Sequence, residues 1–258
     1  MRIVTLFEEQ AFASANGNPF LMMHKVGDLP KDANRPQLYV SAPSLRRLLV
    51  KFRRHGFQAV LPSALTTGNL SKCFAVSFDD GYETTLTIAA PMMTEMGISA
   101  INYLVPDRFG QTNIWDRGRD STPGRLMDRG QVKEWLALGH EIGAHTLTHP
   151  DLRSLSLSEA REEIVGSKKK LEDWFGREVR HFAFPYGYYD NSIVELVLDA
   201  GLTTAATTVP GLVQAGDDPF RLKRYNVDGK SIVQWVRDDL LKQPRLWQAK
   251  VRRTFMQG

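Results

Sequence analysis

Short apolar runs of strand-like composition alternate with amphipathic, helix-like runs along most of this chain. Residues 74–78 and 99–105 are typical of buried strands, whereas residues 86–96 have helical spacing. Alternation of this kind favours a parallel sheet covered by helices. With 258 residues and no internal linker, the chain is expected to form an α/β domain, a distorted (β/α) barrel of about seven or eight strands.

Two sequence signals predict where helices begin. Asp128 with Gln131, and Ser156 with Glu159, each have the spacing of a capping box. The longest irregular stretch, residues 107–125, is rich in glycine and is expected to be a functional loop.

The positive charge of the chain is concentrated near its C-terminus. The net charge is +4, and no acidic residue follows Asp239. Five basic residues lie beyond that point, which leaves the remainder of the chain near −1: Lys242, Arg245, Lys250, Arg252 and Arg253. A roughly neutral body disfavours nucleic acid as a partner.

We therefore divide the chain into one folded domain, residues 1–244, and a basic tail, residues 245–258. The tail interleaves apolar and basic residues, so it is a candidate for contact with an anionic membrane surface, although such tails more often pack on their own domain. No apolar run is long enough to span a bilayer, and the first residues lack the pattern of a secretory signal. The expected location is cytoplasmic, with the tail as the candidate contact to the inner membrane face. The single cysteine, Cys73, excludes an internal disulfide.

Asp79 and Asp80 are the first chemical signal. They follow the strand-like run 74–78 and precede Gly81. Two adjacent carboxylates repel each other, and a bound cation is the usual way to offset that repulsion. One carboxylate can then bind a metal while its neighbour remains available for proton transfer.

His145 and His149 are the second signal, and they directly follow the strand-like run 141–144. On a helical turn, histidines four residues apart face the same way, so both imidazoles can reach one ion. A third signal is the turn Pro185-Tyr186-Gly187 after another strand, where a backbone N–H can stabilise an oxyanion.

These motifs resemble those of the polysaccharide deacetylases of carbohydrate esterase family four, the NodB homology domain. They are SFDDG at 77–81, GHEIGAHTLTHP at 139–150 and FPYG at 184–187, in the family's order and spacing. The resemblance extends from about residue 21 to residue 228. It implies a distorted (β/α) barrel and metal-dependent hydrolytic removal of an acetyl group from an N-acetylated sugar, in glycan or surface-polysaccharide biosynthesis.

The resemblance also implies roles for individual residues. Asp80, His145 and His149 correspond to metal ligands, and Asp79 corresponds to the general base that activates the metal-bound water. The backbone N–H of Tyr186 would help to hold the oxyanion. Zn²⁺ is the default ion for two imidazoles and a carboxylate, and Co²⁺, Ni²⁺, Mn²⁺ or Fe²⁺ also suits such an open site.

The chain departs from the commonest family pattern in two places. No histidine follows His181, so the usual late histidine is absent, and Ala183 stands where the third motif has an arginine. Both departures resemble the poly-N-acetylglucosamine deacetylase branch, whose early Tyr-His motif corresponds here to Met23-His24. We therefore expect His24 to be the general acid, with His181 as the runner-up.

Four residues are candidates for contact with substrate. Trp115 offers a stacking face for a sugar ring, and Asp116 lies beside it in the irregular loop. Pro185 belongs to the third motif. Arg224 follows the last-strand pattern of the branch and is also a candidate for orienting Asp79 in place of the absent motif arginine.

The substrate remains open at this point: an N-acetylated sugar, an oligosaccharide or a lipid-linked glycan. Three alternatives to sugar deacetylation also remain open. They are hydrolysis of a non-sugar amide at the same metal site, a catalytically dead carbohydrate-binding protein, and an iron oxygenase that uses the same three ligands. The oxygenase is disfavoured because its ligand set usually lies on an all-β barrel.

Overall fold

The computed structural model describes residues 17–65, 72–116 and 123–228 of the chain. All of them belong to one compact unit, Gly17–Gly229. The predicted domain boundary at residue 244 and the basic tail lie outside the described residues, so both remain predictions.

The described residues form a predominantly parallel sheet. Its strands and the short strands beside it are β1 (Asn18–Met23), β2 (Lys25–Val26), β3 (Tyr39–Val40), β4 (Gln58–Ala59), β5 (Cys73–Asp80), β6 (Ile101–Leu104), β7 (Glu141–Ala144), β8 (His181–Ala183), β9 (Thr204–Ala206), β10 (Leu212–Val213) and β11 (Tyr225–Asn226).

The principal strands are joined in the order β1, β5, β6, β7, β8, β9, each parallel to its neighbour. After β9 the sheet curls back on itself. The amide of Leu222 donates to the Ala205 carbonyl at 2.9 Å, the Thr207 amide donates to the Leu222 carbonyl at 2.9 Å, and β11 then pairs parallel with β1. The result is a ring of parallel strands, which confirms the predicted (β/α) barrel; β10 adds to β1 in the antiparallel direction.

Helices cover the outside of this barrel. They are α1 (Ala42–Arg54), α2 (Pro62–Leu65), α3 (Ala90–Glu95), α4 (Arg129–Ala137), α5 (Leu157–Phe175) and α6 (Asn191–Asp199), with a π-helical segment at Thr85–Ala89 and 3₁₀ turns at Pro36–Leu38, Pro106–Arg108, Leu152–Ser154, Pro185–Gly187 and Pro219–Arg221. No described helix is both long enough and apolar enough to cross a membrane.

Both capping-box predictions are confirmed. Asp128 accepts from the Gln131 amide at the start of α4, and Ser156 accepts from the Glu159 amide at the start of α5, with the reciprocal bonds also present. Since helix starts are fixed by such local bonds, the sequence alone located them well.

Among the described residues, one arginine lies with aromatic and aliphatic side chains in the barrel interior. Arg224 is fully buried, and its guanidinium lies 5.8 Å from the ring centroid of Phe20 and 5.5 Å from that of Tyr103. A buried charge is costly unless it is paired and hydrogen-bonded. The partners of Arg224 lie at the carboxyl ends of the strands, where the chemical motifs also meet.

Candidate metal centre

The carboxyl ends of β5 and β7 bring Asp80, His145 and His149 together. The Nε2 atoms of His145 and His149 lie 3.4 Å and 3.3 Å from the same oxygen, Oδ1 of Asp80. One potential ligand atom from each residue falls within 4.8 Å of the others, and all three side chains are buried. The structure thus brings together the three residues that the sequence predicts as metal ligands.

The donor set fits a divalent ion. Bonds of about 2.1 Å to a tetrahedral ion place its ligand atoms roughly 3.4 Å apart, which matches both separations from Asp80. Oδ1 of Asp80 is buried and has no hydrogen-bond donor among the described residues. Two imidazoles and one carboxylate leave further coordination positions open, as in catalytic rather than structural zinc sites.

The orientation of the His145 ring is fixed from behind. Its Nδ1 lies 2.7 Å from the carbonyl oxygen of Ala183, at the end of β8. An Nδ1–H that donates to this carbonyl leaves Nε2 as the unprotonated atom that faces Asp80. The neighbouring strand therefore selects the tautomer that can bind a metal.

The prediction of a helical turn at residues 145–149 is wrong. These residues form a non-helical loop, and both Thr146 (φ 65°) and His149 (φ 69°) have left-handed backbone conformations. The Thr146 hydroxyl accepts from the His149 amide at 3.0 Å and so closes the loop from within. From outside, Glu163 of α5 accepts from the Thr148 amide and hydroxyl at 2.9 Å and 2.7 Å.

Left-handed conformations at residues other than glycine cluster at this centre. Besides Thr146 and His149, they occur there at Asp80 (φ 75°) and Tyr186 (φ 60°); the fifth among the described residues, Lys72 (φ 57°), lies elsewhere, just before β5. Each costs free energy, on the order of 1–3 kcal/mol, and persists only where the surrounding structure enforces it. Such strain is characteristic of sites whose geometry is selected for chemistry rather than for stability.

Asp79 is held differently from Asp80. Arg224 donates from Nη1 to Oδ1 of Asp79 at 2.6 Å and from Nη2 to Oδ2 at 2.8 Å. The same guanidinium is fixed by Ser77 Oγ at 3.1 Å and by the Thr207 carbonyl at 2.8 Å. Arg224 thus lies beneath Asp79, inside the barrel, and is engaged along its whole guanidinium.

This pairing decides the ionisation of Asp79. Burial by itself raises the pKa of the carboxyl, but the charge of Arg224 and its two hydrogen bonds outweigh burial, so the pKa lies below its ordinary value. The two adjacent carboxylates are therefore separated in role: Asp79 is stabilised by an arginine, and Asp80 faces two imidazoles.

His24 follows β1 and lines the same cleft as Asp79 and Asp80. The side chain is half-buried, and its Nδ1 has no hydrogen-bond partner among the described residues. Burial lowers the pKa of His24, while the negative charges of Asp80 and Asp79 oppose that shift. His181, the runner-up, lies at the opposite end of its strand and contacts Thr204 Oγ1 at 2.8 Å.

Trp115 and Tyr186 enclose the imidazole of His149. The Trp115 ring stacks on it with centroids 4.4 Å apart, and the Tyr186 ring meets it edge-on at 4.6 Å. Gly187 makes the Tyr186 turn possible, because a Cβ there would lie 2.0 Å from Thr208 Oγ1. The ring that was expected to stack on a sugar thus packs against a predicted metal ligand, and its contact with substrate remains a prediction.

Asp116 joins two segments that border the cleft. It forms an ion pair with Arg35 and accepts from Asn113 Nδ2 at 2.9 Å. The sequence analysis missed Arg35, and also missed Glu163 behind the histidine loop, because no local pattern marks either residue. Only the folded chain shows that they reach the site.

The cleft above these residues has a volume of about 200 Å³. Its lining combines all of the predicted metal ligands with apolar and amide groups: Met22, His24, Arg35, Gln37, Leu38, Asp79, Asp80, Trp115, Asp116, His145, His149, Phe184, Tyr186, Thr208 and Asn226. Arg224 and Pro185 are not among the lining residues.

Comparison with known protein families agrees with this geometry. The sequence profile of the family described as polysaccharide deacetylase matches residues 67–205, more than half of the chain. This chain belongs to the polysaccharide deacetylase family. The matched segment contains Asp79, Asp80, His145, His149 and the third motif.

The matches to individual relatives cover different fractions of this chain. The Bacillus subtilis protein YxkH is 24% identical over 81% of this chain and 71% of its own length. A chitooligosaccharide deacetylase of Azorhizobium caulinodans is 39% identical, but the match covers only 28% of this chain and 34% of that protein.

Solved structures confirm the fold of the family. The Streptococcus pyogenes deacetylase PplD has a TM-score of 0.72 and 20% identity, covering 85% of this chain and 96% of its own. IcaB from Ammonifex degensii has a TM-score of 0.74 and 20% identity, covering 87% of this chain and 99% of its own. Both likenesses concern the barrel as a whole.

Proposed function

We propose that this protein is a metal-dependent hydrolase that removes the acetyl group from an N-acetylated sugar in glycan or surface-polysaccharide biosynthesis. One observation carries the proposal. Asp79 is an ionised carboxylate locked by a buried arginine, and it lies directly beside three residues whose ligand atoms have the spacing of a metal site. A carboxylate that is kept apart from the ligand set is suited to accept a proton.

Asp80, His145 and His149 would hold the ion, and Zn²⁺ is the simplest choice for this donor set. When bound, such an ion polarises the acetyl carbonyl and lowers the pKa of water. The chain's own residues supply the remaining functions. Asp79 accepts the proton of the attacking water, and the Tyr186 N–H is the candidate donor to the developing oxyanion.

The names of relatives support N-acetylglucosamine in a glycan as the acetylated sugar. They include chitooligosaccharide deacetylases and a peptidoglycan-N-acetylglucosamine deacetylase of Bacillus cereus. The direct test is acetate release from N-acetylglucosamine oligomers by protein stripped of metal and then reloaded with Zn²⁺, Co²⁺, Ni²⁺, Mn²⁺ or Fe²⁺.

We expect the stripped protein to be inactive and at least one ion to restore acetate release. Asp80→Asn should bind the ion at least tenfold more weakly, because a neutral amide replaces the only charged ligand of the proposed set. A non-sugar acetamide tested in parallel distinguishes sugar deacetylation from the alternative, hydrolysis of a non-sugar amide at the same site. Stoichiometric metal without hydrolysis of either substrate class would contradict the proposal and favour a binding protein.

His24 completes the proposed mechanism as the acid that protonates the leaving amine. Its imidazole lines the cleft with Asp79, and its buried Nδ1 has no partner among the described residues. His24→Ala is expected to lower kcat by about 10²-fold or more with metal content unchanged. His55→Ala, at the C-terminal end of α1, is the control and should retain full turnover.

The pH profile gives a second measurement of the same variant. If His24 acts as an acid, wild-type activity is expected to fall towards high pH as His24 loses its proton, and this fall should be absent in His24→Ala. Near-normal turnover, or a parallel loss of bound metal, would contradict the assignment.

A further inference from the structure

Among the described residues, the cleft encloses less space than an extended substrate occupies. Its volume of about 200 Å³ is below the roughly 300–1,000 Å³ typical of pockets that enclose drug-sized ligands. It has room for the reacting sugar, whereas any further sugar of an oligomer must lie across the rim. The residues that border the cleft therefore determine whether a longer chain binds better than a single sugar.

Tyr188 lies next to a residue of the cleft lining, Tyr186, and is the most exposed aromatic side chain among the described residues. It is 42% exposed, and its ring lies 5.7 Å from that of Tyr186, with 34° between the ring planes. Tyr186 itself lines the cleft and packs on the metal-ligating His149. A continuous aromatic surface thus leads from the metal centre to solvent.

The surroundings of Tyr188 hold the ring in place. The Arg153 guanidinium lies 4.1 Å from the ring centroid, and Arg153 is in turn fixed by Asp151, which accepts from Nε at 3.1 Å and from Nη2 at 3.0 Å. The Tyr188 amide donates to the Pro185 carbonyl at 3.1 Å. The next residue, Tyr189, stacks on Phe184 at 4.7 Å.

A ring that is already ordered loses little conformational freedom when a ligand covers it. Isolated exposed aromatic residues are common on protein surfaces and need no explanation. Tyr188 differs because its neighbours fix its orientation and join it to the lining of the cleft. These are the properties of a preorganised contact surface.

We propose that Tyr188 is a platform for the sugar next to the one that is deacetylated, and that this contact determines how much better a longer chain binds than a single sugar. A pyranose ring presents a face of C–H groups that packs on an aromatic ring, while its hydroxyls remain hydrated. The exposed part of the Tyr188 ring gives the apolar contact. Arg153, whose guanidinium lies over the ring, adds hydrogen-bond donors next to that contact. This inference rests on the proposed deacetylase function.

The test compares Tyr188→Ala with Tyr188→Phe on two substrates, N-acetylglucosamine and its β-1,4-linked tetramer, in the zinc-loaded protein. For Tyr188→Ala we expect kcat/KM on the tetramer to fall about two- to twelve-fold, mainly through KM, with the monosaccharide unaffected. Tyr188→Phe keeps the ring and should retain the wild-type preference. Leu198→Ala removes an exposed apolar side chain on α6 and serves as the control.

An equal loss on both substrates, or no loss on the tetramer, would overturn the platform. Failure of the proposed function can be distinguished from failure of the platform, because the wild type would then release no acetate from either substrate. In that case, direct titration of tetramer binding to the metal-loaded wild type and Tyr188→Ala tests the platform by itself. Weaker binding to the variant supports it, and equal binding overturns it.

Discussion

Replacing Asp79 with asparagine is expected to lower kcat by about 10²- to 10⁴-fold while the protein still binds its metal. Asparagine keeps the shape of the side chain but cannot accept the proton of water. The metal should remain because the proposed ligand atoms belong to Asp80, His145 and His149. Metal analysis and acetate release on the same preparation measure both quantities.

Asp80→Asn is the matched control for this prediction. The two variants make the same chemical change, a carboxylate to an amide, at adjacent residues. Only Asp80→Asn, however, should lose metal affinity together with activity. If Asp79→Asn lost metal to the same extent, both carboxylates would be ligands and the assignment of Asp79 as base would be wrong. A thermal melt of each variant shows whether the fold has survived, because asparagine leaves the buried Arg224 without its counter-charge.

Much of this site could be predicted because its chemically important residues lie in short sequence motifs. Asp79-Asp80 and the two histidines each follow an apolar strand, and parallel strands that end at one face of a barrel bring such residues together. The order of strands and helices was sufficient to predict that the aspartates and the histidines lie close together. The strand ends themselves were less certain, since β5 extends through Asp80 and does not stop before the pair.

What could not be predicted depends on contacts between distant parts of the chain. The left-handed backbone at Thr146 and His149 is uncommon for residues other than glycine, and Glu163 from α5 holds the loop through its two hydrogen bonds with Thr148. The ion pair between Arg35 and Asp116 likewise depends on the folded positions of two segments that are far apart in the sequence. Neither leaves a pattern in the local sequence.

Arg224 lies between these two cases. The sequence offered it as a substrate contact and as a residue that orients Asp79, without a basis for choosing. The structure places it in the barrel interior, fully buried, with both terminal nitrogens on Asp79. We therefore propose that Arg224 positions Asp79, the proposed base.

Arg224→Met is expected to destabilise the fold by about 3–5 kcal/mol, since it leaves Asp79 buried without its partner. That is a large part of the total stability of a typical domain, so Arg224→Lys provides a milder variant. Lysine keeps the charge but cannot donate two parallel hydrogen bonds, and we expect kcat to fall with KM nearly unchanged. Urea unfolding and steady-state kinetics measure the two effects.

The pH dependence distinguishes positioning from a purely structural role. In the wild type Arg224 lowers the pKa of Asp79, so the stability from this carboxylate is present above the unfolded pKa of about 3.9 and is lost as pH falls through the lower, folded pKa. Without Arg224, burial dominates and raises the folded pKa above the unfolded value. The Asp79 contribution is then largest at low pH and declines as pH rises, while the acid limb of kcat/KM moves to higher pH.

A double variant completes the argument. Arg224→Met with Asp79→Asn removes both charges, and replacing a buried ion pair by neutral groups costs far less than breaking it. Stability should therefore recover relative to Arg224→Met alone, whereas activity should remain at the level of Asp79→Asn. Recovery of stability without recovery of turnover would show that Arg224 acts through Asp79. Additive losses in both measurements would instead mean that Arg224 contributes to the barrel independently of the carboxylate it contacts.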